Sequence, residues 1–181
     1  MVLIYFDFAI FRNDLTDLIE PTFVSSATSQ IQFQNVKEAR IQGIEFSAKT
    51  FLFGLIGLES SVTLMDPVDL TLNQTLNYRS ELLWYNRLFL PIEPFELQFD
   101  YRFKTKAQNV DRQLGLLIKD IDARVDMHVL DVRFIYNLDK IVKSDLRLIL
   151  SARNVLDYYY TEMVGNLAPT RMIMLQLEAK F

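Results

Sequence analysis

The chain has no cysteine, which removes a disulfide framework, a thiolate nucleophile and any cysteine-based metal site, and leaves the compartment undetermined. It also lacks a basic excess. Nineteen Lys and Arg against 23 Asp and Glu give a formal charge of -4, whereas a phosphate-tracking surface needs the opposite sign, so nucleic acid is excluded as a partner. No window approaches the roughly 18 uninterrupted apolar residues of a membrane helix, which excludes an α-helical membrane protein. The opening MVLIYFDFAIFRND has neither a preceding basic segment nor a small-residue cleavage site, and Asp7 interrupts its apolar run; it reads as a strand. Linkers, low-complexity tracts and solenoid-like repeats are missing as well, so residues 1–181 form one structural unit.

What is present is alternation. In FELQFDYRFK, Phe95, Leu97, Phe99, Tyr101 and Phe103 share one parity and Glu96, Gln98, Asp100, Arg102 and Lys104 the other. A helix would scatter the five apolar side chains around its axis, but a strand gathers them on one face. The end of the chain repeats the pattern, with Ile173, Leu175, Leu177, Ala179 and Phe181 against Gln176, Glu178 and Lys180. Weaker versions surround Ile44, Phe46 and Ala48, then Leu58, Val62 and Leu64, then Leu146, Leu148 and Leu150. Eight strands are predicted, at 1–12, 30–51, 56–65, 76–90, 95–106, 122–137, 145–156 and 170–181.

The connections alternate too. Segments 13–29, 66–75, 107–121 and 157–169 are long and polar, while FLFGLIG, PIEP and NLDKIVK are short. Antiparallel strands that each cross a slab place long loops on one side and short turns on the other, as transmembrane barrels do. A transmembrane strand needs about 9 to 11 tilted residues, which Phe95 to Lys104 supplies, whereas strands of soluble proteins average about 5 to 6. Tyr78, Tyr101 and Phe103 fall toward the long-loop ends and Tyr136 and Phe181 toward the short-turn ends, as interfacial girdles would; Trp84 sits mid-strand, in neither. The fold class is therefore all-β, an antiparallel transmembrane β-barrel wall with a wet charged face and an apolar lipid face.

In the sixth strand, Leu130, Val132, Phe134 and Tyr136 share a parity that upstream holds Asp122, Arg124, Asp126 and His128. Either 122–128 is a solvated extension above the membrane, or a β-bulge near Val129 changes the parity.

Three stretches, ARIQGIEFSAK at 39–49, SARNVLDYYYTE at 151–162 and the terminal RMIMLQLEAKF, give the chain a resemblance to the C-terminal barrel half of TonB-dependent outer-membrane receptors. The first is similar to the strand motif of that family in which Gly precedes Val or Ile and an acidic residue, here Gly43, Ile44 and Glu45. The second resembles its penultimate-strand Asn-Leu-Phe-Asp motif, here Asn154, Val155, Leu156 and Asp157, followed by aromatics. The third resembles an assembly signal, an amphipathic final strand ending in Phe181. YRSELLWYNRLFLPIEPFELQFDYRF also looks like a hairpin of the family with a Pro-containing turn.

The resemblance implies that residues 1–181 are the last eight strands of a barrel of about 22, starting at an internal Met1, with the plug domain absent. It implies a Gram-negative outer membrane, contact with its lipid, insertion by the barrel assembly machinery and, in a full-length parent, an inner-membrane energy-transducing complex. The implied function is import of a scarce ligand such as a siderophore-bound iron, cobalamin or a glycan, without enzymatic activity or cofactor. Two other readings remain: a self-contained small barrel with a structural or adhesive role, and a soluble β-sheet binding protein with an apolar interior.

Sharper chemistry is thin. His128 with Asp126 and Asp131 suggests a metal or acid/base cluster, but Asp131 lies on the opposite parity and no third ligand has metal spacing. Asp111, Asp120 and Asp122 lack the Gly and terminal Glu of a calcium loop, and Asn73-Gln74-Thr75 is only a common three-residue glycosylation pattern. Arg79, Glu81, Arg87, Glu96, Asp100, Arg102, Lys104, Arg147 and Lys180 read as charges pairing across a water-lined wall. Tyr158, Tyr159 and Tyr160 read as part of the outer girdle, with an extracellular ligand platform as the alternative.

Overall fold

The two parities of the sequence become the two faces of one antiparallel sheet. The computed structural model describes residues 3–25, 30–111, 124–139, 145–163 and 166–180. Its long strands are β1 (Leu3–Ser25), β2 (Gln30–Leu52), β3 (Ile56–Asp69), β5 (Leu82–Ile92), β6 (Phe95–Lys104), β7 (Met127–Asn137), β8 (Asp145–Arg153) and β11 (Met172–Lys180). Three short pieces, β4 (Gln74–Thr75), β9 (Thr161–Met163) and β10 (Asn166–Leu167), lie in the connections. The long strands pair in chain order, β1-β2-β3-β5-β6-β7-β8-β11, while β4 pairs with β3, and β9 with β10 in a separate hairpin.

Register assigns the faces. Phe99 sits beside Leu88 and Val132, and Asp100 beside Arg87 and Asp131, so β5, β6 and β7 each turn one parity outward. Continuing across the ladder, Leu150, opposite Phe134, and Leu175, opposite Leu150, share the apolar side. That side is not buried: Phe6 is 67% exposed, Ile10 75%, Ile173 69% and Leu175 70%. Among the described residues the buried apolar side chains are few, with Ala39, Leu76, Val129 and Tyr160 the main ones. A soluble sheet would have put its large apolar residues inside. The soluble reading fails on this inversion, which is the arrangement lipid demands, with the backbone groups between paired strands satisfied by the ladder.

The short connections cluster at one end. Leu55 N–H donates to Leu52 O at 2.9 Å across Phe53 (φ 54°) and Gly54 (φ 69°), the doubly left-handed geometry whose twist suits a tight hairpin. Glu93 and Pro94 link β5 to β6, and Asn137 N–H donates to Pro94 O at 2.9 Å, which ties the end of β7 to that turn. Lys180 pairs with Asp145, so β11 also finishes at the short-turn end. Phe181 lies outside the described residues, as do Asp120 and Asp122.

Several boundaries differ from the sequence reading. The expected loop 13–29 is largely strand: β1 and β2 remain paired from Leu3↔Phe51 to Ser25↔Gln30, a long hairpin that rises past the membrane level. Cross-strand pairing carries it where alternation has stopped, with Asp17 (φ 56°) skipped in the ladder. The next connection begins later than expected, because β3 runs to Asp69, and a tight turn then returns through Asn73 to β4. Asp69 Oδ1 caps that turn by accepting from Thr71 N–H and Leu72 N–H at 2.8 and 2.9 Å. Residues 76–81 are not strand, since β5 starts at Leu82. The choice at Val129 is also decided: β6 and β7 pair without a break from Lys104↔Met127 to Phe95↔Tyr136, so no bulge is present and 124–126 form the extension. Finally, β1 and β11 are the two edges of the path and do not pair with each other. The described strands form an open wall, which corrects the reading as a closed eight-stranded barrel.

Candidate functional site

The inner face is where polar chemistry concentrates. Arg87 is the hub on β5: its Nε donates to Asp100 Oδ1 at 2.7 Å and its Nη1 lies 4.0 Å from Glu59 on β3. Asp100 also accepts from Tyr85 Oη at 2.8 Å and from Gln98 Nε2. One strand further, Arg102 Nη2 donates to Asp131 Oδ2 at 2.9 Å, and Asp131 Oδ1 accepts from Asn154 N–H at 2.8 Å. A continuous polar row therefore crosses β3, β5, β6 and β7 to the end of β8. Arg87 faces Asp100 directly across the ladder and Arg102 reaches Asp131 on the diagonal, so the row follows from register.

Two hollows along the described part of this wall bear on its chemistry. One of about 500 Å³ lies at the short-turn half, floored by Tyr5, Phe51, Gly57 and Phe89 and rimmed by Lys49, Glu59 and Arg87. The other, about 280 Å³, is polar and lies between Asp100, Arg102, Asp131, Arg133, Ser151 and Arg153. Among the described residues no cluster of His, Asp and Glu is arranged to hold a metal ion.

The motif residues now have places. Gly43 lies opposite Phe11 and Met65, with the Phe11 ring across it; a Cβ there would run into Leu64 O and sit 2.8 Å from Phe11 Cζ. Glu45, between Ala9 and Thr63, presents an exposed carboxylate to the lumen side. Asn154 is buried in the left-handed region (φ 47°); its Nδ2 donates to Tyr158 O at 2.9 Å and its Oδ1 accepts from Tyr158 N–H at 3.0 Å. Asp157 (φ 53°) accepts from Arg171 N–H at 2.9 Å, and Arg171 Nε donates to Val155 O at 3.0 Å. These two residues shape the turn that leaves β8 and fasten it to the start of β11.

The tyrosine triplet is split. Tyr160 is buried and Tyr159 is 62% exposed. Tyr158 meets the His128 ring edge-on at 5.5 Å. His128 itself lies on the lipid side, where its Nδ1 shares a 2.9 Å hydrogen bond with Tyr101 Oη and its ring lies 5.0 Å from Phe103. Trp84 joins the same belt edge-on to Tyr101 at 6.1 Å. Its Nε1 donates to Ser60 Oγ at 3.1 Å, so the residue that sequence left unassigned belongs to the long-loop girdle. At the short-turn end Phe95 stacks on Phe134 and Tyr136 at 5.5 and 5.0 Å. His128, Asp126 and Asp131 are not brought together: Asp126 accepts from Lys106 N–H, and Asp131 is on the opposite face.

An open antiparallel wall, aromatic at both rims, apolar outside and charged inside, is part of an outer-membrane β-barrel. The particular class follows from comparison: the family described as TonB dependent receptor-like, beta-barrel matches residues 3–155, and the chain belongs to it, which places it in the outer membrane of a Gram-negative bacterium. Solved structures agree on the fold. The copper transporter OprC superposes with a TM-score of 0.75 at 18% identity, over 98% of this chain and 28% of its own. The ferripyoverdine receptor of the outer membrane of Pseudomonas aeruginosa, bound to ferripyoverdine, gives 0.67 at 14% identity, over 96% and 24%. A complex of FpvAI with pyocin S2 gives 0.67 at 13% identity, over 96% and 25%. The chain thus spans about a quarter of the length of the structures it matches. No curated relative matches its sequence.

Proposed function

We propose that this chain is the C-terminal wall of an outer-membrane active transport receptor that imports a scarce ligand, without enzymatic activity. The observation that carries the reading is the family match over residues 3–155, joined to a wall whose lumen face is lined by paired charges. In the full-length protein a separate plug domain fills the lumen and an inner-membrane TonB complex supplies the energy. Loops 107–121 and 157–169 take part in ligand capture, with Tyr159 the tyrosine of the triplet presented to solvent. Siderophore-bound iron, cobalamin and glycans are the candidate cargoes. Two of the structural neighbours are a copper transporter and a ferripyoverdine receptor, so metals and metal chelates are the first to test.

The experiment is uptake of labelled cargo by cells with and without the full-length gene under iron, cobalamin or glycan limitation, repeated after loss of the TonB complex. Uptake of one cargo that needs both the gene and the complex is expected. Uptake that needs the gene but persists without the complex would point to a passive pore and overturn the proposal.

A further inference from the structure

The carboxylates of the polar hollow have partners, and two of its arginines do not among the described residues. Asp100 is engaged by Arg87, Tyr85 and Gln98, and Asp131 by Arg102 and the Asn154 backbone N–H. Arg133 on β7 and Arg153 on β8 line the same polar hollow of about 280 Å³, are exposed, and make no ion pair or side-chain hydrogen bond among the described residues. Three guanidiniums line it, Arg102, Arg133 and Arg153, with two carboxylates, Asp100 and Asp131, that are already committed. Register explains why these two remain free. Arg133 is directly opposite Ser151, and Val132 opposite Ala152 puts Asp131 across from Arg153, but Asp131 is turned to Arg102.

We propose that Arg133, Arg153 and Ser151 form an oxyanion-binding site on the lumen wall, for a carboxylate or phosphate group. Arg133 and Arg153 lie on diagonal positions of adjacent strands, about 7–8 Å apart at the backbone, which lets two long side chains converge on one anion. Each guanidinium offers a fork of donors that matches a carboxylate or phosphate bidentately, and the Ser151 hydroxyl adds a further donor. Like charges held this close repel until an anion joins them, and a concave site with an excess of positive charge raises the local concentration of anions. The site rests on the wall being water-lined and not on any particular cargo. The oxyanion comes either from a dissolved solute or from an acidic side chain elsewhere in the full-length receptor.

The test uses the full-length receptor in detergent, with citrate and inorganic phosphate as probes followed by calorimetry, and the variants Arg133→Gln, Arg153→Gln and the double variant. Arg147→Gln, which removes the same charge from the same face outside the hollow, is the control, and retained heat-modifiable electrophoretic mobility verifies folding. For a dissolved oxyanion, each single variant is expected to weaken binding about tenfold or more, and Arg147→Gln much less. For an internal carboxylate, the probes bind weakly to the parent, but the double variant alone loses salt-sensitive thermal stability. Equal losses in Arg147→Gln, or a double variant that changes neither probe binding nor salt-sensitive stability, overturn the site.

Discussion

Asp131 on β7 and Asn154 beyond β8 are joined by a 2.8 Å hydrogen bond from the Asn154 backbone N–H to the Asp131 carboxylate. That bond couples the charged row of the lumen wall to the turn that follows β8. The turn in turn depends on Asn154 for two further reasons: its left-handed backbone, and its reciprocal side-chain bonds to Tyr158. The motif position is therefore a structural joint, and its chemistry is that of a residue tolerating positive φ while bonding its own backbone.

Substitution can separate those two contributions. Asn154→Gly keeps the backbone conformation and removes the side-chain bonds, leaving the Tyr158 amide and carbonyl unsatisfied at a cost of about 1–3 kcal/mol. Asn154→Ala adds a left-handed penalty of about 1–2 kcal/mol. Urea midpoints of the refolded full-length protein should fall in the order parent, Gly, Ala. An Ala variant at least as stable as Gly would show that the backbone conformation does not matter.

Gly43 makes a different demand, for space. Any Cβ there meets a backbone atom, Leu64 O, as well as the Phe11 ring. Gly43→Ala is expected to destabilise by about 1–3 kcal/mol, as overpacking does. Because the carbonyl cannot move aside without breaking the ladder, Phe11→Ala should fail to restore stability in the double variant. Rescue to parental urea resistance would place the whole constraint on the ring and refute the backbone account.

Glu20 gives the long β1 and β2 hairpin a pH dependence. It is 6% exposed, its Oε1 has no hydrogen-bond partner, and Arg79 is 3.9 Å away. Burial raises its pKa above 4.5, with Arg79 opposing and Asp69 reinforcing the shift. The folded hairpin thus holds this proton more tightly than the unfolded one. The resulting stabilisation is complete below about pH 4.5 and is lost as pH rises through the folded value. Amide exchange in residues 13–25 and 30–41 should be slower near pH 4 than at pH 7 after correction for intrinsic rates. Glu20→Gln should flatten that difference, and an unchanged profile would remove Glu20 as its source.

How much of this could be read from the residues depends on what each region must satisfy. FELQFDYRFK announces its strand because lipid on one side and water on the other force every position to declare a face. Beyond the membrane both faces meet water, so alternation fades at Asn13 and the hairpin that continues to Ser25 looks like a loop. The fate of Trp84 was hidden for another reason: its partners, Ser60 and Tyr101, lie on neighbouring strands at positions only register supplies. Register also decides the lumen site. Arg133 faces Ser151, whereas Arg87 faces Asp100 and is neutralised, and nothing in the local sequence of either arginine distinguishes them.

The last strand allows the face assignment itself to be tested by a pair of neighbours. Leu175 is 70% exposed on the apolar side opposite Leu150, and Gln176 follows on the lumen side opposite Ile149. Arginine on the lipid face costs about 2–4 kcal/mol near the bilayer midplane, because its charge loses water and finds no partner, while the lumen face keeps the charge hydrated. Leu175→Arg is therefore expected to lower the urea midpoint in lipid vesicles and to reduce the assembled, heat-modifiable fraction in cells. Gln176→Arg should leave both near parental values, since its side chain joins a wall already populated by Arg133 and Arg153. Reversal of the two outcomes would mean that β11 is turned the other way, and with it every face derived from the shared register.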